Sequence, residues 1–449
     1  MTSESAESCQ HVSYCQFKSD PHAPVLSALT NKTYAVVLAG GRGTRLKQLT
    51  DNRSKPAVPF GGKLRIIDFP LSNCINSGIR RVGVVTQYKA QSLLRHIQRG
   101  WGFLEANLGE FIEALPAQQR VQEAWYTGTA DAVFQNLYFI RHCNPEYILV
   151  LGGDHVYKMN YGRVIADHIA ARADLTICCI DVPLEEASQF GIMTVGEDQR
   201  ITGFNEKPPH PQALPGDPTR ALASMGIYVF SAAFLYEHLA RDAQDSTSSH
   251  DFGKDLIPYM VEHHRVFAHR FATSCVNMVG ETPYWRDVGT VDAYWEANMD
   301  LTKVTPGLNL YDADWPIWSL QQQLPPAKFV FNDDDGRRGH ALDSLISSGC
   351  IISGAEIQRS LLFTNVRVRE HSVIADSVIL PDVEIGRHVT LHRVIVDKGC
   401  HLPDGFTAGV DLRRDRELFH VTPGGVTLIS ADMPGLQSVT TRIPGSQVG

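Results

Sequence analysis

The chain has no run of 18 apolar residues, so no transmembrane helix is expected. Its first 20 residues contain neither an apolar segment nor a leading cluster of positive charge, which argues against a secretory signal and a transit peptide. The nine cysteines are an odd number without a CxxC pair, so neither a zinc site nor a disulfide framework is indicated. The net charge of −8 argues against a general nucleic-acid binder. We therefore expect a cytoplasmic protein that contacts neither membrane nor nucleic acid.

The length of the chain and its hydrophobic pattern predict its domains and its fold class. At roughly 100–200 residues per domain, 449 residues predict two or three domains. Residues 1–30 are expected to form a polar tail, and a catalytic domain is expected over 31–300. From Tyr34 onwards, short apolar runs such as YAVVLAG and YILVLGGD alternate with helical stretches. This pattern predicts an α/β fold with a mainly parallel sheet covered on both faces, in which ligands bind beyond the carboxyl ends of the strands.

The last third of the chain has a different period. Residues 301–340 contain TPGLNL, LPPAKF and NDDDGRRG and are expected to be a linker. Within 341–449, aliphatic residues recur at five- or six-residue steps from Ile351 through Val373 to Cys400. That period is typical of a parallel β-helix, in which each short face contributes one inward side chain. A β-sandwich with uneven strands is the alternative. Only three or four coils are expected, so the helix would need support from the catalytic domain or another subunit.

A glycine-rich turn, VVLAGGRGTRL, follows the first predicted strand. It lacks the Walker A lysine, and Leu46 stands where the dinucleotide fingerprint requires a third glycine. The glycines at 40, 41 and 43 let backbone N–H groups approach an anion, while Arg42 and Arg45 add permanent charge. Between Arg42 and Arg81 nine basic residues face only two aspartates. Lys55 adds a point charge, so the loop suits a triphosphate; a solvated basic face is the alternative.

Carboxylates follow other predicted strands. Asp154 in LGGDH and Asp287 in PYWRDVGT could share one Mg²⁺ with phosphate oxygens, although a turn or cap role is an equal alternative for Asp154. We expect His155 to be a packing residue. In FNEKP, Lys207 could bind a second anionic group and Glu206 could accept hydrogen bonds from hydroxyl groups.

These residues predict phosphoryl-type chemistry at a nucleoside triphosphate. The sequence has no nucleophile elbow and no catalytic triad. An attacking phosphomonoester has a second pKa near 6, is mostly dianionic at neutral pH and needs no general base. The catalyst then has to align two anions and neutralise their repulsion.

The residues also resemble a known family. The stretches AGGRGTRLKQLT, RSKPAVPFGGKLRIIDFPLSNCINSGIRR, WYTGTADAV, GGDHVYKM, FNEKP and PYWRDVGT closely resemble the bacterial glucose-1-phosphate adenylyltransferases, over roughly residues 34–425. The resemblance implies that ATP and α-D-glucose 1-phosphate give ADP-glucose and pyrophosphate with Mg²⁺, for glycogen synthesis. It implies a Rossmann-like domain, a left-handed parallel β-helix and a homotetramer.

The resemblance also assigns roles. The catalytic residues would be Arg42, Lys55 and Asp154. The ATP-binding residues would be Gly40, Gly41, Arg42, Gly43, Thr44, Arg45, Gln87, Tyr126 and Gly128. The residues around glucose 1-phosphate would be Glu206, Lys207, Ser224, Tyr228, Asp251 and Trp285. The metal ligands would be Asp154 and Asp287.

Members of this family are allosteric, so small anionic effectors are expected. Glycolytic sugar phosphates or pyruvate would activate, AMP, ADP or phosphate would inhibit, and Arg53 and Arg65 would contact them. Asn52 and Pro59 stand where members activated by fructose 1,6-bisphosphate often carry basic residues, so the activator is left open.

Other functions remain as alternatives. One is a non-catalytic regulatory subunit of the same family, and another is a sugar nucleotidyltransferase that uses UTP or dTTP. An acyl-transferring β-helix is disfavoured because the repeat is short.

Overall fold

The structure is a computed structural model that describes residues 23–41, 43–117, 125–278, 280, 282–334, 336–431 and 437–438. Among the described residues, no helix is long and apolar enough to span a membrane. The α-helices are α1 (Ala23–Thr30), α2 (Asp68–Asn76), α3 (Gln91–Gly100), α4 (Thr129–Phe134), α5 (Leu137–His142), α6 (Tyr161–Ala170), α7 (Ala232–Asp242), α8 (Ile257–His263), α9 (Val291–Asp300) and α10 (Leu412–Leu418).

The N-terminal domain is built on a nine-stranded sheet. The strands of this domain are β1 (Thr33–Leu38), β2 (Pro59–Phe60), β3 (Leu64–Arg65), β4 (Arg81–Thr86), β5 (Phe111–Pro116), β6 (Tyr147–Gly152), β7 (His155–Tyr157), β8 (Leu175–Pro183), β9 (Gly191–Val195), β10 (Ile201–Glu206), β11 (Arg220–Ser231), β12 (Val266–Arg270) and β13 (Trp285–Asp287). Strands β5, β4, β1 and β6 pair in parallel, as the apolar runs predict. The long β11 then runs antiparallel to β6, β8 and β9.

Helices cover both faces of the sheet, as expected for continuous apolar strands. Tyr34 and Val36 of β1 pack in one fully buried layer with α4, α5, α7 and α8. Ala35 and Val37, which point the other way, pack with α2, α3 and α6. Alternating side chains of one strand therefore enter two different cores, which explains why its sequence shows no polar face.

The parallel strands also bring three loops together. Strand β1 leads into Gly40, β4 into Gln87 and β6 into Asp154. Carboxyl ends of adjacent parallel strands lie at one edge of a sheet, so these loops meet there. A Cβ at Gly40 would lie 3.4 Å from the Cβ of Gln87, which shows how closely the loops pack.

The C-terminal domain is a parallel β-helix, and the predicted fold class is confirmed. Its strands are β14 (Lys328–Val330), β15 (His340–Leu342), β16 (Leu345–Ile346), β17 (Ile351–Ser353), β18 (Glu356–Gln358), β19 (Leu361–Leu362), β20 (Arg367–Val368), β21 (Val373–Ala375), β22 (Val378–Ile379), β23 (Glu384–Ile385), β24 (Thr390–His392), β25 (Val394–Val396), β26 (Cys400–Leu402), β27 (Thr407–Ala408), β28 (His420–Val421), β29 (Thr427–Ile429) and β30 (Gln437–Ser438). They form three sheets in which residue 367 pairs with 384 and 384 with 401, one coil each.

Three details of the repeat differ from the expectation. Five successive strands, β14, β17, β20, β23 and β26, stack in parallel, so the described residues contain five coils rather than three or four. The first of them begins at Lys328, inside the stretch expected to be linker. In β21 the inward residue is Ile374, which is fully buried, whereas Val373 is 40% exposed. Two neighbouring aliphatic residues satisfy the six-residue period equally well, and the pattern alone does not say which one faces inward.

One apolar cluster joins the two domains. Phe60, Tyr294 and Leu301 of the N-terminal domain pack against Val378 and Ile395 of the β-helix. Each fully buried side chain of this kind contributes about 1.5–3 kcal/mol. The support from the catalytic domain that a short β-helix requires is therefore present.

Candidate active site

The glycine-rich loop after β1 is fixed by its own sequence. Gly43 has φ +63°, and a Cβ there would lie 2.8 Å from the Cβ of Lys55. A side chain at this position is excluded on both counts, so the loop can lie directly against the Lys55 segment. The chain then continues through Thr44–Thr50 as two 3₁₀ turns separated by a kink at Lys47, held by buried Leu46 and Leu49. The predicted residue Arg42 lies outside the described residues.

A cavity of about 450 Å³ opens at the carboxyl ends of the parallel strands. Ten of the predicted residues line it, from both the nucleotide set and the sugar-phosphate set. They are Gly40, Gly41, Gln87, Tyr126, Gly128, Asp154, Glu206, Lys207, Tyr228 and Asp251. Residues that lie more than 200 positions apart in the chain thus share one chamber.

The other described candidates are not on this wall. They are Gly43, Thr44, Arg45, Lys55, Ser224, Trp285 and Asp287. Three of them form a charged group beside the cavity. Lys55 is 5% exposed, and its Nζ donates to Asp154 Oδ2 at 3.0 Å and to Asp287 Oδ1 at 2.5 Å. Arg45 Nη2 lies 3.4 Å from Asp287 Oδ2.

The charges in this group keep each other ionised. Burial disfavours the charged form of Lys55, but the two aspartates outweigh it and raise the lysine pKa. Burial likewise acts to raise the pKa of Asp154, yet Lys55 and then His155 hold that pKa well below its usual range. The ammonium of Lys55 and the carboxylate of Asp154 are therefore charged at neutral pH.

Short elements aim these side chains. Lys55 starts a 3₁₀ turn, Lys55–Ala57, in which Pro56 occupies an early position where no N–H is needed. Asp287 ends β13, which pairs antiparallel with β7 and sets Asp287 directly opposite His155. Asp154 immediately precedes β7. The two-stranded ribbon thus explains why carboxylates far apart in sequence converge.

Another part of the cavity wall carries mixed charge. Lys207 has φ +47° and is 62% exposed in its side chain, with Nζ 2.9 Å from Glu206 Oε1. Asp251 caps the π-helical segment Phe252–Leu256 by accepting from the backbone N–H of Gly253 at 2.9 Å. Thr129 Oγ1 donates to the other oxygen of Asp251 at 3.0 Å. This part of the wall offers one ammonium group, that of Lys207, and two carboxylates, those of Glu206 and Asp251.

Sequence reasoning missed several residues of this wall. Thr129 and Phe252 line the cavity, as does Gly253, where a Cβ would lie 2.6 Å from Glu206 Oε2. The segment HDFGKD carried a signal for Gly253, but a polar turn by itself indicates no ligand. Position 128 requires glycine, because a Cβ there would lie 2.1 Å from the carbonyl oxygen of His250.

Trp285 and Ser224 lie just behind the wall. Trp285 is 6% exposed, and its ring packs edge-on against His155 at 4.9 Å and Phe190 at 5.6 Å. Its Nε1 is buried and has no hydrogen-bond partner among the described residues. Ser224 Oγ accepts from the N–H of Gly226 at 3.3 Å. Burial raises the pKa of the neighbouring Tyr228 hydroxyl, which is neutral.

Oxygen and nitrogen donors beside the cavity fit a divalent cation. Ligand atoms of Asp154, His155 and Asp287 all lie within 4.8 Å of one another. Gly152 leaves room beside Asp154 and His155, because a Cβ there would lie 3.3 Å from Asp154 Oδ1 and 3.6 Å from His155 Nδ1. Carboxylate oxygens around a small space are suitable for Mg²⁺ or Mn²⁺.

A second cavity, of about 140 Å³, lies between the two domains. Arg65, Lys63, His96 and Lys398 line it together with Asp382. Arg65 also donates from Nη1 to the carbonyl oxygen of Ser92 at 3.0 Å.

Arg53, the other predicted effector residue, is not on the wall of this second cavity. Its Nη2 donates to both carboxylate oxygens of Asp397, at 2.8 and 2.7 Å, across the domain boundary. Both residues are less than a tenth exposed.

Comparison with known proteins identifies two family models along the chain. Residues 34–304 match the nucleotidyl transferase family model, and residues 325–429 match the model of the GlmU-like C-terminal hexapeptide. The glucose-1-phosphate adenylyltransferase of Nitrosospira multiformis is 66% identical over 409 residues, which cover 91% of this chain and 96% of that protein. The chain belongs to the glucose-1-phosphate adenylyltransferase family.

Two other members of the family are similarly close. The enzyme named glucose-1-phosphate adenylyltransferase in Methylobacillus flagellatus is 64% identical over 410 residues, covering 91% of this chain and 96% of its own. That of Dechloromonas aromatica is 61% identical over 429 residues, covering 95% and 97%. Nucleotidyl transferases of this family generally use a divalent metal. The resemblance inferred from the sequence is confirmed.

Proposed function

We propose that the chain transfers the adenylyl group of ATP to α-D-glucose 1-phosphate, giving ADP-glucose and pyrophosphate for glycogen synthesis. The observation that carries the proposal is the cavity at the sheet edge. Its wall combines the glycine loop, Glu206 and Lys207 with Asp154, which belongs to the Lys55–Asp154–Asp287 group. The shared name of relatives that are 61–66% identical supports the choice of substrates.

ATP occupies the side of the glycine loop. Backbone N–H groups at Gly40, Gly41 and Gly43 approach the phosphates, and Thr44 and the guanidinium groups of Arg42 and Arg45 stabilise charge that builds on the leaving pyrophosphate. Gln87, Tyr126 and Gly128 surround the rest of the nucleotide. Gly43 supports this role, because a Cβ there would lie 2.8 Å from the Cβ of Lys55 and would hold the loop away from that segment.

Glucose 1-phosphate occupies the other end. Lys207 binds its phosphate, and its exposed side chain can reach an anion in the cavity. Glu206 and Asp251 accept hydrogen bonds from sugar hydroxyl groups, while Ser224, Tyr228 and Trp285 complete the pocket. The unpartnered Nε1 of Trp285 supports a role next to a polar ligand.

The reaction needs alignment and charge neutralisation. A phosphate oxygen of glucose 1-phosphate attacks the α-phosphorus of ATP and forms the new P–O bond. The bond from the α-phosphorus to the bridging oxygen breaks, and its electron pair leaves with pyrophosphate. The attacking phosphate is a dianion above about pH 6, so no side chain has to remove a proton. Lys55 acts as a fixed charge next to the reacting phosphates.

Asp154 and Asp287 are the residues that hold Mg²⁺. When bound, the cation supplies charge neutralisation between the two anionic substrates. The gap at Gly152 and the convergence of both carboxylates support this assignment.

Regulation and assembly complete the proposal. The cavity between the domains takes a small anionic effector, a sugar phosphate, pyruvate, AMP, ADP or phosphate, because Arg65, Lys63 and Lys398 face it. Arg53 affects that cavity from its ion pair with Asp397. The chain acts as a homotetramer with a catalytic domain over 31–300 and a left-handed β-helix that begins at Lys328.

Pyrophosphate release tests the function. Purified chain is assayed with Mg²⁺ and glucose 1-phosphate, and with ATP, UTP or dTTP separately, each with and without fructose 1,6-bisphosphate, fructose 6-phosphate or pyruvate. We expect the wild type to release pyrophosphate with ATP but not with UTP or dTTP, and we expect Asp154→Asn to release none. Release with UTP or dTTP would show that the chain uses a different nucleotide substrate. No release under any condition would favour the regulatory-subunit alternative.

A further inference from the structure

His155 has a position that packing alone does not explain. Its Nδ1 is buried and has no hydrogen-bond partner among the described residues. Its Nε2 lies 3.6 Å from Asp154 Oδ1, which is too long for a hydrogen bond. Buried polar atoms are nearly always satisfied, so a partner other than the described residues is expected at Nδ1.

The residues around Nδ1 indicate the chemical nature of its expected partner. The missing Cβ of Gly152 would lie 3.3 Å from Asp154 Oδ1 and 3.6 Å from His155 Nδ1. One small space therefore faces a carboxylate oxygen and an imidazole nitrogen together. Lys55 donates to the other oxygen of Asp154, so its ammonium does not compete for Oδ1.

The imidazole is also held in place. Trp285 packs edge-on against the ring with centroids 4.9 Å apart, and strand pairing fixes His155 opposite Asp287. A ring fixed on one face and open at an unpartnered nitrogen is typical of a pre-organised ligand.

We infer that His155 Nδ1 is a third protein ligand of the divalent cation that Asp154 and Asp287 hold. The inference rests on the metal site of the proposed function. It makes that site a mixed oxygen and nitrogen site, which binds Mn²⁺ more tightly than a purely carboxylate site does, because imidazole suits first-row transition ions better than Mg²⁺.

Electron spin echo spectroscopy tests the ligand directly. Full-length protein labelled with ¹⁵N in histidine only is loaded with Mn²⁺ and pyrophosphate, neither of which contains nitrogen. We expect ¹⁵N coupling to Mn²⁺ in the wild type and none in His155→Gln. His142→Gln, at an exposed position on α5, is the matched control and should keep the coupling. The wild-type spectrum is informative even if a variant folds poorly.

Mn²⁺ titration tests the His155 ligand separately from the metal site formed by Asp154 and Asp287. His155→Gln should weaken Mn²⁺ binding about tenfold or more, and Mg²⁺ binding less. If the wild type binds Mn²⁺ in an Asp154-dependent manner but shows no ¹⁵N coupling, His155 is not a ligand. The proposed carboxylate metal site would then still stand. Protein that binds no Mn²⁺ would overturn the ligand and the metal site, while pyrophosphate release still tests nucleotidyl transfer by itself.

Discussion

Replacing Lys55 with methionine keeps most of the side-chain volume and removes its charge. The ammonium lies 3.0 Å from Asp154 and 2.5 Å from Asp287, and Lys55 is 5% exposed. At an effective dielectric constant of about 20, each contact is worth about 6 kcal/mol before desolvation. Screening reduces the net value because the Asp154 side chain is 35% exposed.

The expected loss is in kcat. Without its fixed charge the site has to align two anions beside two carboxylates, so we expect kcat to fall by about 10²–10⁴, equivalent to about 3–5 kcal/mol of transition-state stabilisation. The assay is pyrophosphate release with saturating ATP, glucose 1-phosphate and Mg²⁺ between pH 5.5 and 8.5.

The pH profile gives a second readout. In the wild type the depressed pKa keeps Asp154 ionised well below the assay range, so protonation of this residue does not limit the rate. Removing Lys55 leaves burial to raise that pKa, so the ratio of variant to wild-type rate should fall further as the pH is lowered. Taking the ratio cancels the protonation of glucose 1-phosphate near pH 6.

Lys32→Met is the matched control because Lys32 pairs with Glu146 on the surface, with its side chain 52% exposed. It should leave kcat and its pH profile unchanged. A Lys55→Met enzyme with kcat within tenfold of the wild type and a constant ratio across the pH range would refute the electrostatic role.

Three further predictions follow from the geometry. Lys207→Ala should raise the KM for glucose 1-phosphate with little change in kcat, and an unchanged KM would remove Lys207 from the sugar-phosphate site. Arg53→Met leaves Asp397 buried without its partner and should lower the free energy of unfolding in urea by about 3–5 kcal/mol; Arg53→Met with Asp397→Leu should recover most of the loss, and a double variant as unstable as the single one would contradict the pairing. Gly128→Ala places a methyl group 2.1 Å from the carbonyl oxygen of His250 and should lower kcat/KM for ATP about tenfold or more, so a wild-type value would show that this loop does not bind the nucleotide.

The sequence was sufficient to predict features that depend on local pattern. Continuous apolar strands predicted a parallel sheet, and the sheet rule placed Gly40 and Asp154 at one edge, where the structure has them. The six-residue period predicted the β-helix because each coil repeats the same local demand for an inward aliphatic side chain.

Features that depend on distant pairing could not be predicted in this way. Lys55 meets Asp287 across 232 positions, and Arg53 meets Asp397 across 344. The charge of Arg53 indicated an anion, but nothing nearby in sequence showed that a carboxylate of the other domain neutralises it. His155 shows the same limit, because a lone histidine in a strand indicates packing until its unpartnered nitrogen and the gap at Gly152 are seen together.

The apolar cluster between the domains also has a consequence for synthesis. Phe60 and Leu301 belong to the same buried cluster as Ile395 and Leu428. On the ribosome, at about 5–20 residues per second, the roughly 130 residues between Leu301 and Leu428 take about 6–25 s to add. During that interval the nascent N-terminal domain carries an uncovered apolar face while its sheet can already form. This apolar face is therefore buried only after the β-helix has been synthesised and has folded against it.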